Sequence, residues 1–125
     1  MIAGTVTADR EAIVTVKVRA PGGRPERIEA VIDTGFTESL ALPRHTIARL
    51  GLPFRGSQRV TLGDGRDANV PMHRALVEWH GHPVPVVVLA MDGGALLGMA
   101  LLQGSRLTVD VTDGGPVRID ALAAT

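Results

Sequence analysis

The residue in this chain best placed to do chemistry is Asp33, in Asp33-Thr34-Gly35. It follows an apolar run, Ile28 to Ile32, that reads as a β-strand, so its carboxylate is carried on the end of a core element. A carboxylate can act as general base or general acid. Two that share one proton can do both at once, because like charges a few ångström apart do not both ionise. No other aspartate here precedes Thr-Gly or Ser-Gly; Asp64, Asp92 and Asp113 stand directly before glycine, which is turn chemistry. The second carboxylate of such a pair has to come from elsewhere. The plainer reading of Asp33 is a strand-end turn in which it accepts backbone hydrogen bonds.

Other chemistries find less support. The chain has no cysteine, which removes disulfides, thiolate metal sites and a cysteine nucleophile together. His73, His80 and His82 lie close in sequence, but no acidic or sulfur ligand accompanies them; a polar hairpin tip accounts for them, and neither metal nor cofactor is expected. Trp79, the only tryptophan, reads as a core or interface anchor. Glu38 reads as an exposed loop carboxylate, with a pocket-shaping role as the alternative. Thirteen basic residues balance thirteen acidic ones, so no overall field favours nucleic acid or an anionic membrane.

The elements that must position Asp33 follow from pattern. With 125 residues, 45% of them hydrophobic, the chain is the length of one domain with one core, and residues 1–125 are read as such. Fifteen glycines and eight prolines cut it into short pieces, which suits an all-β domain. Val14, Val16 and Val18 alternate with polar residues as in a half-buried strand, and Ile2 to Thr7 reads as its hairpin partner. Ser39 to Leu42 is a short strand. Pro43 and Gly51 bracket a helix over Arg44 to Leu50. Gln58 to Leu62 and Asp67 to Val70 form a hairpin around Gly63-Asp64-Gly65-Arg66. His73 to Trp79 pairs with Pro83 to Ala90, where Val86-Val87-Val88-Leu89 reads as buried on both faces. A helical stretch to Gln103 follows Leu96-Leu97-Gly98, and Leu107 to Val111 with Val117 to Leu122 make a closing hairpin. A weak repeat of strand, wide turn and short helix covers Ile28 to Leu50 and Val86 to Gln103, with Asp33-Thr34-Gly35 and Leu96-Leu97-Gly98 read as matching places. No signal segment or membrane span is visible, and cytoplasmic location is the default.

Ala30 to Thr37 with its Asp33-Thr34-Gly35, the glycine-flanked turn at Gly63 to Gly65, and Leu96-Leu97-Gly98 leading into a helix occur in an order that resembles the retropepsin-like aspartic peptidases. The likeness spans nearly the whole chain and is closest to their small bacterial stand-alone members. It implies an acid-protease fold, all-β: a closed or partly closed barrel of six to eight short strands with one or two short helices. It implies an endopeptidase that needs no cofactor, working as a homodimer on a peptide or protein substrate. Asp33 of each copy would form the catalytic dyad, Thr34 would lock the two loops together, and Gly35 would let substrate lie close. Gly63, Asp64 and Gly65 would be the tip of a flap.

Two departures from that pattern matter. Where retroviral enzymes carry an acidic residue and an arginine that pair near the dimer interface, this chain has Thr37 and Met99. Where pepsins carry a hydroxyl donor to the catalytic carboxylate, it has Phe36, which leads us to expect activity at mildly acidic to near-neutral pH. The rival readings are a dimerisation or peptide-binding module on the same fold with little turnover, and an unrelated small β-barrel with a fortuitous triplet.

Overall fold

The computed structural model describes residues 1–123. It contains ten strands and two short helices. These are β1 (Ile2–Val6), β2 (Ala12–Arg19), β3 (Glu26–Ile32), β4 (Leu40–Leu42), α1 (Arg44–Leu50), β5 (Phe54–Thr61), β6 (Asp67–Trp79), β7 (His82–Ala90), β8 (Leu96–Leu97), α2 (Met99–Leu102), β9 (Ser105–Val109) and β10 (Pro116–Ala121). All strands belong to one sheet, in the order β5-β6-β7-β4-β8-β3-β2-β1-β10-β9. An extra pairing of β2 with β6, through Val18↔Val77 and Arg19↔Leu76, closes the six strands from β6 to β2 into a ring. Its interior is filled by Val14, Val16, Val18, Leu40, Leu42, Val77, Val88 and Leu97.

The alternation along β2 holds: Val14, Val16 and Val18 are buried while Thr15 and Lys17 are exposed. The uniform run in β7 holds in part, since Val86, Val88 and Leu89 are buried and Val87 is half-exposed. Trp79 is buried in the core. Helix α1 ends as its glycine requires, with Gly51 in the left-handed region at φ 65° and its N–H donating to Ala48. No helix among the described residues is long and apolar enough to cross a membrane.

The expected boundaries shift at three places. The two segments Asp67 to Val70 and His73 to Trp79 are one thirteen-residue strand, β6. Pro71 does not break it, because β5 alone flanks that part of the strand and pairing to β7 begins only at Met72. Strand β5 starts at Phe54 rather than Gln58, with a bulge between Phe54 and Gly56. The closing hairpin begins earlier, at Ser105, and Val111 lies outside it, exposed.

Candidate active site

Strand β3 delivers Asp33 to a loop whose backbone is fixed on several sides. Parallel pairing with β8 sets Val31 opposite Leu96 and Ile32 opposite Leu97. The Asp33 N–H then continues that ladder by donating to the Leu97 carbonyl at 2.9 Å. The chain turns at once, with the Phe36 N–H donating to the Asp33 carbonyl at 3.1 Å. It returns as β4, which runs antiparallel to β8 through Leu40↔Leu97 and Ala41↔Leu96. The Asp33 loop is therefore the link between two strands that flank β8 on either side.

The start of α2 closes the loop from below. Gly98 N–H donates to the Ser39 carbonyl at 3.0 Å, Met99 N–H to Phe36 at 2.8 Å and Ala100 N–H to Glu38 at 3.3 Å. Gly98 is needed here for space: a Cβ on it would collide with the Glu38 carbonyl oxygen and lie 2.6 Å from both the Phe36 oxygen and its Cδ2. The Phe36 ring thus lies against Gly98 and packs the loop onto the start of α2.

The Asp33 carboxylate is half-exposed, and its Oδ1 accepts the Gly35 N–H at 2.9 Å. This bond holds one carboxylate oxygen against the loop. A Cβ at Gly35 would sit 3.3 Å from that oxygen, so glycine keeps the approach to the carboxylate open. Thr34 is exposed and lines a mainly apolar groove of about 550 Å³ with Thr37, Met99, Leu102, Ser105 and Leu107. Met99 is 47% exposed, a large apolar side chain on that face.

Gly63, Asp64 and Gly65 form the exposed tip of the β5–β6 hairpin, closed by Leu62 N–H to Arg66 at 2.7 Å and Gly65 N–H to Leu62 at 2.9 Å. The Asp64 carboxylate is turned onto its own turn. It accepts the Arg66 N–H at 3.0 Å and the Arg66 guanidinium at 2.6 Å. The backbone bond first, and the guanidinium second, hold its pKa below the ordinary carboxylate range. The tip makes no hydrogen bond with Asp33, Thr34 or Gly35 among the described residues.

The hairpin meets the Asp33 loop further down, at residues the sequence reading underrated. Glu38, expected as an exposed loop carboxylate, is half-buried and accepts a hydrogen bond from the Gln58 side-chain amide of β5 at 2.9 Å. Period two in β5 was the available signal, since Gly56, Gln58 and Val60 share the inward face. The histidines serve separate purposes: His73 is bonded to the Leu52 carbonyl at 3.0 Å and His80 to the Ser105 hydroxyl at 2.8 Å. His80 and Gly81, both with positive φ, make the two-residue turn between β6 and β7, while His82 begins β7.

The internal repeat is present, with a different alignment from the one read in sequence. In each half the first strand pairs in parallel with the second strand of the other half: β3 with β8, and β7 with β4. The Met91 N–H donates to Leu42 at 3.1 Å just as Asp33 donates to Leu97. Asp33 therefore matches Met91, and Leu97-Gly98 matches Leu42-Pro43, where glycine and proline each cap a helix. Leu96-Leu97-Gly98 is thus not the counterpart of the triplet; it is the strand that holds it.

No family model matches the sequence, and no curated protein sequence matches it. Solved structures do. A retropepsin-like aspartic protease from Rickettsia conorii superposes with a TM-score of 0.60 at 17% identity, over 98% of this chain and 92% of that one. The EIAV protease, solved with the inhibitor HBY-793, superposes with a TM-score of 0.57 at 18% identity, over 77% of this chain and 88% of that one. The ring of strands that carries Asp33 at the β3–β4 crossing is the retropepsin-like aspartic protease fold.

Proposed function

We propose that this protein is an aspartic endopeptidase whose active site is completed by a second copy of the chain. The observation that carries the reading is the setting of Asp33: a half-exposed carboxylate on a backbone fixed by β8 and α2, on a retropepsin fold. The corresponding place in the chain's other half is Met91, so the internal repeat does not supply a partner carboxylate. A two-fold homodimer does, because an isologous interface sets equivalent residues beside its axis.

In the dimer, Asp33 and Asp33 of the partner subunit share one proton. One carboxylate takes a proton from water as it attacks the scissile carbonyl, and the other protonates the carbonyl oxygen. The Gly35 N–H keeps one oxygen of Asp33 oriented, and the Thr34 hydroxyl, on the exposed face, bonds across to the facing loop. The hairpin tipped by Gly63, Asp64 and Gly65 closes over an extended peptide, which is held by main-chain hydrogen bonds. The substitution of Thr37 and Met99 for an ion pair gives this interface an apolar character, and is the feature that keeps a peptide-binding module as the second reading.

The deciding test is digestion of a diverse peptide library by the wild type and by Asp33→Asn between about pH 3.5 and 7.5, with the oligomeric state measured in the same samples. The expected result is a dimer whose cleavage rate falls at least about a thousandfold in the variant, the scale for loss of an acid–base group. A dimer that binds peptides and cuts none in this window establishes the binding module instead.

A further inference from the structure

Glu38 and Gln58 stand apart from the proton-transfer machinery, yet theirs is the one side-chain hydrogen bond joining the β5–β6 hairpin to the Asp33 loop among the described residues. The two ends of this contact differ in rigidity. The Glu38 backbone is pinned, since its carbonyl accepts the Ala100 N–H at 3.3 Å and its neighbours Phe36 and Ser39 are bonded to Met99 and Gly98. Gln58 belongs to a hairpin arm, residues 57–71, in which β5 has only β6 beside it and β6 gains β7 only from Met72 onward. Such an arm pivots on its root unless something fastens it.

The faces of the arm are also unlike. Its outward side carries Ser57, Arg59, Thr61, Asp67 and Asn69, with Arg59 and Thr61 both bonded to Asp67. These bonds stiffen the hairpin internally and tie it to nothing else. Its inward side carries Gln58, Val60, Ala68 and Val70. Of these, Gln58 has the polar group that reaches the loop.

We infer that Glu38 and Gln58 form a latch that holds the hairpin down against the Asp33 loop in the ligand-free protein. A peptide entering between hairpin and loop then has to part this bond or bridge it with its own amides. That consequence rests on the peptidase reading; the latch itself does not.

The test uses the full chain with a nitroxide at Gly63→Cys. The protein has no cysteine to compete for the label. A side chain at Gly63 meets nothing within 4 Å. Paramagnetic broadening of the Thr34, Gly35 and Thr37 amides reports the ratio of hairpin-down to hairpin-up forms, without substrate and whether or not the protein cleaves peptides. Gln58→Leu and Glu38→Leu should each lower that ratio about fivefold, the scale of one partly buried hydrogen bond. The double variant should lower it no further than either single change. A ratio unmoved by both single changes, or a double variant equal to their product, overturns the latch. Loss of cleavage in Asp33→Asn with the ratio intact separates the two proposals.

Discussion

Replacing Gly98 by alanine tests how the Asp33 loop is held. The backbone at Gly98, with φ −111°, suits any residue, so the substitution carries no conformational penalty of its own. The difficulty is space. The new methyl overlaps the Glu38 carbonyl oxygen and comes within 2.6 Å of the Phe36 oxygen and Cδ2. Two of these three atoms are backbone, and the same two oxygens accept the N–H groups of Ala100 and Met99. Relief therefore means lifting residues 36–38 off the start of α2 and loosening both bonds. Overpacking contributes about 1–3 kcal/mol and each weakened bond about 1 kcal/mol. A loss of about 4 kcal/mol follows, a large share of the 5–15 kcal/mol typical of a domain, and at this chain length roughly 15 °C in Tm. Thermal and denaturant unfolding at one fixed protein concentration measure it, with Gly94→Ala as control, since a Cβ there meets nothing within 4 Å. The control should stay within about 0.5 kcal/mol of wild type. Refutation is simple: a Gly98→Ala protein within about 1 kcal/mol of wild type means the loop is not clamped as described.

The Asp64 carboxyl should titrate below the ordinary carboxylate range by NMR, and Arg66→Ala should raise its midpoint only part of the way, because the first cause, the backbone N–H of residue 66, survives. Because the folded-state value is depressed, the turn's contribution is present above the unfolded value, about 3.9, and is lost as pH falls through the folded one. A midpoint unchanged in Arg66→Ala would show that the guanidinium contact is not held in solution. Gly51→Ala places a Cβ in the left-handed region at φ 65° and should cost about 1 kcal/mol in denaturant unfolding; a neutral result would mean α1 ends differently. Arg49→Ala removes the ion pair with Glu26, whose side chains are 51% and 39% exposed, and should cost under about 1 kcal/mol, a difference that 1 M salt erases.

Where local pattern alone sets an element, the sequence was readable. The valine alternation of β2, the Pro43–Gly51 bracket of α1 and the Asp-Gly turn at the hairpin tip each follow from residue chemistry within a few positions. What was less readable depends on which strands lie side by side. Pro71 looks like a boundary until β5 is seen to be the only neighbour at that point. Glu38 looks exposed until Gln58, twenty residues away, is brought against it. Leu96-Leu97-Gly98 was recognised, but as a counterpart of the triplet, because its true role is set by pairing with β3 and β4 at once. The order of the motifs along the chain carried the family likeness; only the sheet topology assigns what each one holds.

That topology also bears on why, on the peptidase reading, one catalytic aspartate per chain would suffice. The two halves exchange strands, β4 joining β7 and β8 joining β3, so neither half closes without the other. Each exchange leaves a loop at the end of a parallel strand, one beginning at Asp33 and the other at Met91, and both are fixed by the same hydrogen bond to the strand received. The fold therefore offers two equivalent anchored positions, and the sequence gives an ionisable group to one. A pair of like carboxylates costs free energy unless it shares a proton, and sharing requires close approach of the same atoms from both sides. Symmetry between copies meets that condition with a single aspartate and no change in the second half. On the peptidase reading the active site exists only in the dimer, so activity should fall with dilution as the dimer dissociates, while the fold of each chain, closed by its own exchanged strands, need not.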